Sequence, residues 1–131
     1  MKLSIVTTLY QSENYIKEFY ERSCSSAEKI FSDNYEIIFV NDGSTDNSLK
    51  IAIDISKHDE KVLVIDLSRN FGHHQAIIAG ISKAKGDLIF VIDGDLEEEP
   101  EWVIKFHDIM KKKECDVVFG VQNERKGSII E

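Results

Sequence analysis

Five short apolar runs recur along this 131-residue chain: Leu3 to Leu9, Tyr35 to Val40, Val62 to Leu67, Leu88 to Ile92 and Val117 to Val121. Within them, Ile37-Ile38-Phe39-Val40 and Leu88 to Ile92 show no polar alternation. Strands of that kind must be covered on both faces, which is the condition of a parallel sheet. Between the runs lie segments with apolar residues at helical spacing: Glu13 to Phe31, Asp46 to Lys57, Gln75 to Lys85 and Pro100 to Lys113. The order β-α-β-α-β-α-β-α-β implies right-handed crossovers. It predicts an α/β, three-layer sandwich with a mostly parallel central sheet and helices on both faces. Nothing resembles a linker or a repeat, so residues 1–131 read as one domain.

Local chemistry supplies the punctuation. Ser12 suits the N-cap of the first helix, with Glu13 in its first turn. Pro100 fits the first helical position of the last helix, and Lys111-Lys112-Lys113 suits its carboxyl-terminal dipole. Gly80 inside the third helix costs about 1 kcal/mol against alanine, which predicts close packing on the sheet. The tail to Glu131 is polar and without pattern.

Every polar cluster that follows a strand falls at the carboxyl edge of the sheet, where open α/β folds bind their ligands. Asn41-Asp42-Gly43-Ser44, Ser68-Arg69-Asn70-Phe71-Gly72 and Asp93-Gly94-Asp95 should therefore meet. Asp93 and Asp95 are carboxylates two residues apart after a wholly apolar run. They read either as a site for a hard divalent cation, Mg²⁺ or Mn²⁺, or as an acidic turn capping a helix. Gly94 leaves room for a ligand to approach the backbone. Asp42 reads either as an acceptor for nucleobase or ribose hydrogen bonds or as a helix cap. Arg69 serves a phosphate, or pairs with Asp42 or Asp93. His73 and His74 read as caps or exposed residues rather than metal ligands. Glu97 to Glu99 read as a solvated, helix-initiating run, with Glu97 nearest the site.

The net charge of −8 argues against nucleic acid as a partner. Cys24 and Cys115 lack metal-type spacing and read as reduced thiols of a cytoplasmic protein. No run reaches the roughly 18 apolar residues needed to cross a bilayer.

Taken together, Leu3 to Tyr10, Val40 to Asp46, Ser68 to Gly72, Ala79-Gly80, Lys85-Gly86-Asp87 and Asp93 to Glu101 resemble the amino-terminal part of a family 2 nucleotide-sugar glycosyltransferase. The similarity is greatest to the branch of dolichol- and undecaprenyl-phosphate sugar transferases. The resemblance implies a GT-A fold, which is Rossmann-like. It implies that Thr8, Leu9 and Tyr10 line a nucleotide pocket and that Asp42 faces the base. Asp93 and Asp95 would hold a metal and the donor diphosphate, with Glu97 adding a metal contact. Arg69 to Gly72 would shape the donor side. The sequence departs from the family's pattern at Thr7-Thr8-Leu9-Tyr10, where a proline is usual, and at Gln11, Ser12 and Asn41. Family catalytic domains are longer and carry acceptor contacts in their second half, so residues 1–131 correspond to the donor part.

The activity so implied is transfer of a sugar from a nucleotide-diphosphate sugar to a lipid-phosphate or glycan acceptor. It would be metal-assisted and inverting, in cell-envelope polysaccharide or glycolipid synthesis at the cytoplasmic face of the membrane. Membrane contact would come through segments beyond these residues, and the acceptor's base also lies outside them. The alternatives are a nucleotide-binding part that self-associates without turnover, and a phosphatase-like fold. The second places its aspartate pair after the first strand rather than the fourth.

Overall fold

A computed structural model describes residues 1–114, 119–122 and 127–130. The elements are β1 (Leu3–Leu9), α1 (Ile16–Phe31), β2 (Tyr35–Asn41), α2 (Ser48–His58), β3 (Val62–Asp66), α3 (His73–Lys83), β4 (Leu88–Val91), α4 (Trp102–Lys113), β5 (Phe119–Gln122) and β6 (Gly127–Ile130). The first four strands form one parallel sheet in the order β3-β2-β1-β4. The chain thus steps twice in one direction and then returns across β2 and β1 to place β4. Right-handed crossovers put helices of opposite steps on opposite faces.

The core follows that geometry. Leu3, Ile5, Leu9, Ile37 and Phe39 are buried on one face with Phe19 of α1, Ala52 of α2 and Val103 of α4. Val6, Ile38 and Val40 pack on the other face with Ala76 of α3. Alternate residues of β1 and β2 thus feed both layers, and every residue of β2 is buried. The close packing expected at Gly80 is present. A β-carbon there would lie 2.5 Å from Val6 Cγ1 and 3.0 Å from Val40 Cγ2.

Several boundaries differ from the sequence reading. Helix α1 starts at Ile16, and Ser12 does not cap it. The Ser12 hydroxyl accepts the Tyr10 N–H and donates to the Tyr10 carbonyl, so it is spent on the preceding turn rather than on the helix start, while the Ser12 N–H donates to Ser48 Oγ at 2.8 Å. Helix α4 starts at Trp102, after Pro100. The fifth strand was expected to join the parallel sheet. Residues 117 and 118 lie outside the described residues, while Phe119–Gln122 pairs antiparallel with β6 in a separate two-stranded sheet. An antiparallel partner needs only a short connection, whereas joining a parallel sheet needs a crossover. The same pairing gives the supposedly patternless tail a strand, Gly127–Ile130. Cys24 is a free thiol whose burial pushes its pKa up, and Cys115 lies outside the described residues.

Glu101 does more than begin a helix. Arg22 of α1 donates from Nε to Glu101 Oε2 at 2.8 Å and from a second nitrogen to Oε1 at 2.6 Å, tying α4 to α1. The guanidinium holds the Glu101 carboxyl below the usual carboxylate range. A depressed folded pKa contributes stability that is present above the unfolded value and lost as pH falls through the folded one. With side chains 30% and 42% exposed, solvent screening limits this pair to about 1 kcal/mol. We expect Glu101→Gln to lose about that much at pH 7 by urea denaturation, and the gap from the parent chain to close by pH 3. A gap that persists at pH 3 would refute the ion-pair account.

Candidate functional site

The sheet order makes a topological switch between β1 and β4, because the chain leaves β1 toward β2 on one side and comes back to β4 on the other. Adjacent strand ends diverge there and leave a crevice at the carboxyl edge. The three polar loops converge on this edge.

The loop after β2 is tightly latched. The Asp42 N–H donates to the Leu9 carbonyl at 2.9 Å. Asp42 is buried, and its Oδ1 accepts the Phe71 N–H at 2.8 Å. That bond joins the β2 and β3 loops and removes the helix-cap reading of Asp42. The start of α2 is served instead by Asp46, whose Oδ1 accepts the Ser48 N–H and whose Oδ2 accepts the Glu13 N–H. Partial burial would raise the Asp46 carboxyl, but these bonds outweigh it and hold it below the usual range. Gln11 Oε1 accepts the Thr45 N–H at 2.8 Å, and the Ser44 hydroxyl donates to the Leu9 carbonyl, so the β1 loop is latched to the same frame.

Of the residues singled out after β1, Thr8 is partly exposed, Tyr10 is exposed, and the Leu9 side chain is fully buried in the core. Leu9 therefore meets the edge through its carbonyl. Arg69 lies over the Phe71 ring at 4.3 Å and, among the described residues, makes no ion pair. Its pairing with Asp42 or Asp93 is thereby excluded, which leaves an exposed guanidinium whose donors face solvent. Gly72 precedes α3 at φ 98°, and α3 then begins at His73, two residues earlier than its apolar spacing predicts.

The β4 loop distributes its carboxylates in a way that spacing did not reveal. Asp93 Oδ1 lies 3.4 Å from His73 Nε2, and the Asp93 N–H donates to Glu98 Oε1. Asp95 Oδ1 accepts the Glu97 N–H at 3.1 Å. Glu98 thus bonds this turn through its side chain and Glu97 through its backbone, and Glu99 accepts from the Trp102 indole. Among the described residues, no three His, Cys, Asp or Glu side chains are gathered closely enough to hold a metal ion. Asp93, Asp95 and Glu97 accordingly do not form a closed set. Thr7 was not singled out from the sequence, yet its hydroxyl is buried and has no hydrogen-bond partner among the described residues. A β-carbon on Gly94 would lie 3.0 Å from that hydroxyl oxygen. The alternation of Thr7 with Ile5 and Leu9 marked it as inward-facing, but only the position of β4 shows what it faces.

With this geometry the comparisons are decisive. The family model described as Glycosyl transferase family 2 matches residues 4–130. The chain belongs to glycosyl transferase family 2. A Mycobacterium tuberculosis (strain CDC 1551 / Oshkosh) protein carrying a glycosyltransferase name is 50% identical over 127 residues, which are 97% of this chain and 37% of that one. The undecaprenyl-phosphate 4-deoxy-4-formamido-L-arabinose transferase of Proteus mirabilis (strain HI4320) is 40% identical over 101 residues, 76% of this chain and 31% of that one. Among solved structures, S. aureus TarS 1-349 in complex with UDP-GlcNAc superposes with a TM-score of 0.70 at 24% identity, over 90% of this chain and 33% of that chain. The likeness to TarS shows the fold, which is GT-A. The chain spans less than two fifths of the length of these relatives. Among the described residues, no helix is long and apolar enough to cross a membrane.

Proposed function

We propose that this chain is the donor-binding part of a glycosyltransferase that moves a sugar from a nucleotide-diphosphate sugar to a lipid-phosphate or glycan acceptor. The observation that carries the reading is the meeting of Asp42, Arg69 and Asp93 loops at the switch point beside β1. The UDP-GlcNAc complex of TarS and the undecaprenyl-phosphate transferase name of a relative support the substrate classes.

Asp42, with Oδ1 held by the Phe71 N–H, offers its remaining acceptor capacity to a nucleobase. Thr8, Leu9, Tyr10 and Gly72 border that pocket. The residues present fit a hard divalent cation. Asp93 and Asp95 are oxygen donors, Gly94 keeps a β-carbon out of the space next to Thr7, and the Thr7 hydroxyl is a buried oxygen with no hydrogen-bond partner among the described residues. Asp93 and Asp95 would hold Mg²⁺ or Mn²⁺, whose chemistry there is to neutralise the leaving diphosphate. In the transfer, an acceptor oxygen attacks the anomeric carbon on the face opposite the diphosphate. The bond from that carbon to the diphosphate oxygen breaks, and its electron pair leaves with the nucleotide. The Arg69 guanidinium, without an ion pair among the described residues, stabilises that charge. The acceptor's proton passes to a general base, a role we assign to none of the described residues.

Calorimetric titration with UDP, GDP and dTDP, each with and without Mn²⁺, tests the reading. At least one nucleotide should bind about tenfold more tightly with Mn²⁺, and Asp95→Ala should abolish that gain. If no nucleotide responds to the metal and Asp95→Ala binds like the parent chain, the donor-site reading is wrong.

A further inference from the structure

His73 was left with no task by its position at a helix start, and the fold supplies one. In the parallel pairing of β1 and β4, Val6 lies opposite Val91. The same register continued two residues sets Thr8 opposite Asp93. Side chains alternate along a strand, so Thr8 shares the face of Val6, which packs under α3 beside Ala76. Helix α3 opens with His73, three residues before Ala76, so its first side chain comes down where β1 and β4 end.

The imidazole spans the two strand ends. Its Nδ1 is 3.3 Å from Thr8 Oγ1, and its Nε2 is 3.4 Å from Asp93 Oδ1. The second approach is an ion-pair distance, longer than a well-formed N–H···O bond. A carboxylate calls for a proton on the nitrogen that faces it. A neutral ring with its proton on Nε2 satisfies this, and its Nδ1 then accepts the Thr8 hydroxyl proton. From the other side Asp93 is anchored through its backbone, whose N–H donates to Glu98 Oε1. Asp93 is therefore held at its backbone by Glu98, and its carboxylate is met by His73 from another element.

We propose that His73 is a positioning residue: seated on Thr8, it fixes the Asp93 carboxylate at the mouth of the crevice between β1 and β4. This rests on the donor-site reading of Asp93. Residues that orient a ligating carboxylate typically change metal affinity by about 10- to 100-fold when removed. They do so because, once they are gone, ordering of the ligating carboxylate has to accompany binding.

Two readouts separate this role from the donor reading itself. The first is ¹⁵N NMR of the imidazole in the chain without ligand. The expected state is the Nε2–H tautomer, with the His73 signals shifting in both Asp93→Ala and Thr8→Val. Signals that ignore both substitutions overturn the bridge, whatever nucleotides do. The second is UDP, GDP and dTDP binding with and without Mn²⁺. His73→Ala should weaken the Mn²⁺-dependent binding by about tenfold and leave metal-free binding unchanged. His73→Gln, which can still donate to Asp93, should recover most of the loss. If the parent chain shows metal-dependent binding and His73→Ala matches it, the positioning role is wrong while the donor reading stands. A parent chain without metal dependence overturns the donor reading, and with it the role of His73, even where the NMR contact persists.

Discussion

Alanine in place of Gly43 is expected to cost about 2–4 kcal/mol of folding stability and to weaken nucleotide binding at least about tenfold. Gly43 sits at φ 73°, and a β-carbon there would lie 2.5 Å from the Asn70 backbone nitrogen and 2.9 Å from its Cα. Neither atom can rotate aside, so the loop from Ser68 to Gly72 must retreat as a unit. Retreat would pull the Phe71 N–H from buried Asp42 and carry Arg69 away from the edge. Gly72→Ala is the control. It also has positive φ, at 98°, but a β-carbon there meets nothing within 4 Å. With ψ at 157° it lies in a region that is essentially glycine-only, so it should lose the backbone term alone, about 1–3 kcal/mol. Urea denaturation of the two variants reads the difference. Equal losses would mean that the loop yields freely and that its contact with Gly43 does not position the site.

Phe39→Ala should be the most damaging of the core truncations, at about 3–5 kcal/mol. Phe39 is fully buried on β2 and meets Phe19 of α1 edge-on, with centroids 6.2 Å apart at 62°. It stands in the strand that is covered on both faces, so the space it leaves is walled by the sheet and cannot collapse easily. A domain has only about 5–15 kcal/mol in total, so the midpoint temperature should fall by roughly 10–20 °C. Ile78→Ala, on the outer side of α3 at 58% exposure, should change stability by less than about 0.5 kcal/mol. A Phe39→Ala loss as small as that of Ile78→Ala would show that the aromatic pair is not central to the core.

The elements most legible in the sequence were the parallel strands. Strand β1 runs from Leu3 to Leu9 as its apolar stretch predicts, and β2 and β4 differ by one residue at their carboxyl ends. The expected cover on both faces holds for β2, where every residue is buried, but not for β4: Ile89 and Val91 are 42% and 40% exposed, because β4 ends the sheet order among the described residues and one of its faces is left open. Helix starts were less legible, because the loops before them use their side chains in other ways. The Ser12 hydroxyl turns back to the Tyr10 backbone, and Gly72 at positive φ turns the backbone early enough to bring His73 into α3. The glutamate run was misread for the same reason. Glu98 turns back to the Asp93 N–H and Glu101 reaches Arg22, neither of which a helix-start pattern contains.

The sequence by itself determined the β-α alternation, the family resemblance, and the address of Asp42, Arg69, Asp93 and Asp95 at the carboxyl edge of a parallel sheet. The alternation and the address rest on apolar runs and a helical period that each segment carries within itself, and the resemblance rests on the motif residues from Val40 to Asp46, Ser68 to Gly72 and Asp93 to Glu101. Tertiary structure alone decided which of these groups meet. Among the described residues, it joined Asp42 to Phe71, set His73 between Thr8 and Asp93, left Arg69 without an ion pair, and gave Thr7 a buried hydroxyl with no hydrogen-bond partner. Each of those outcomes depends on the strand order β3-β2-β1-β4 and on the register between strands distant in the chain. Local periodicity records which way a side chain faces within its own element. It does not record what another element brings to the same face.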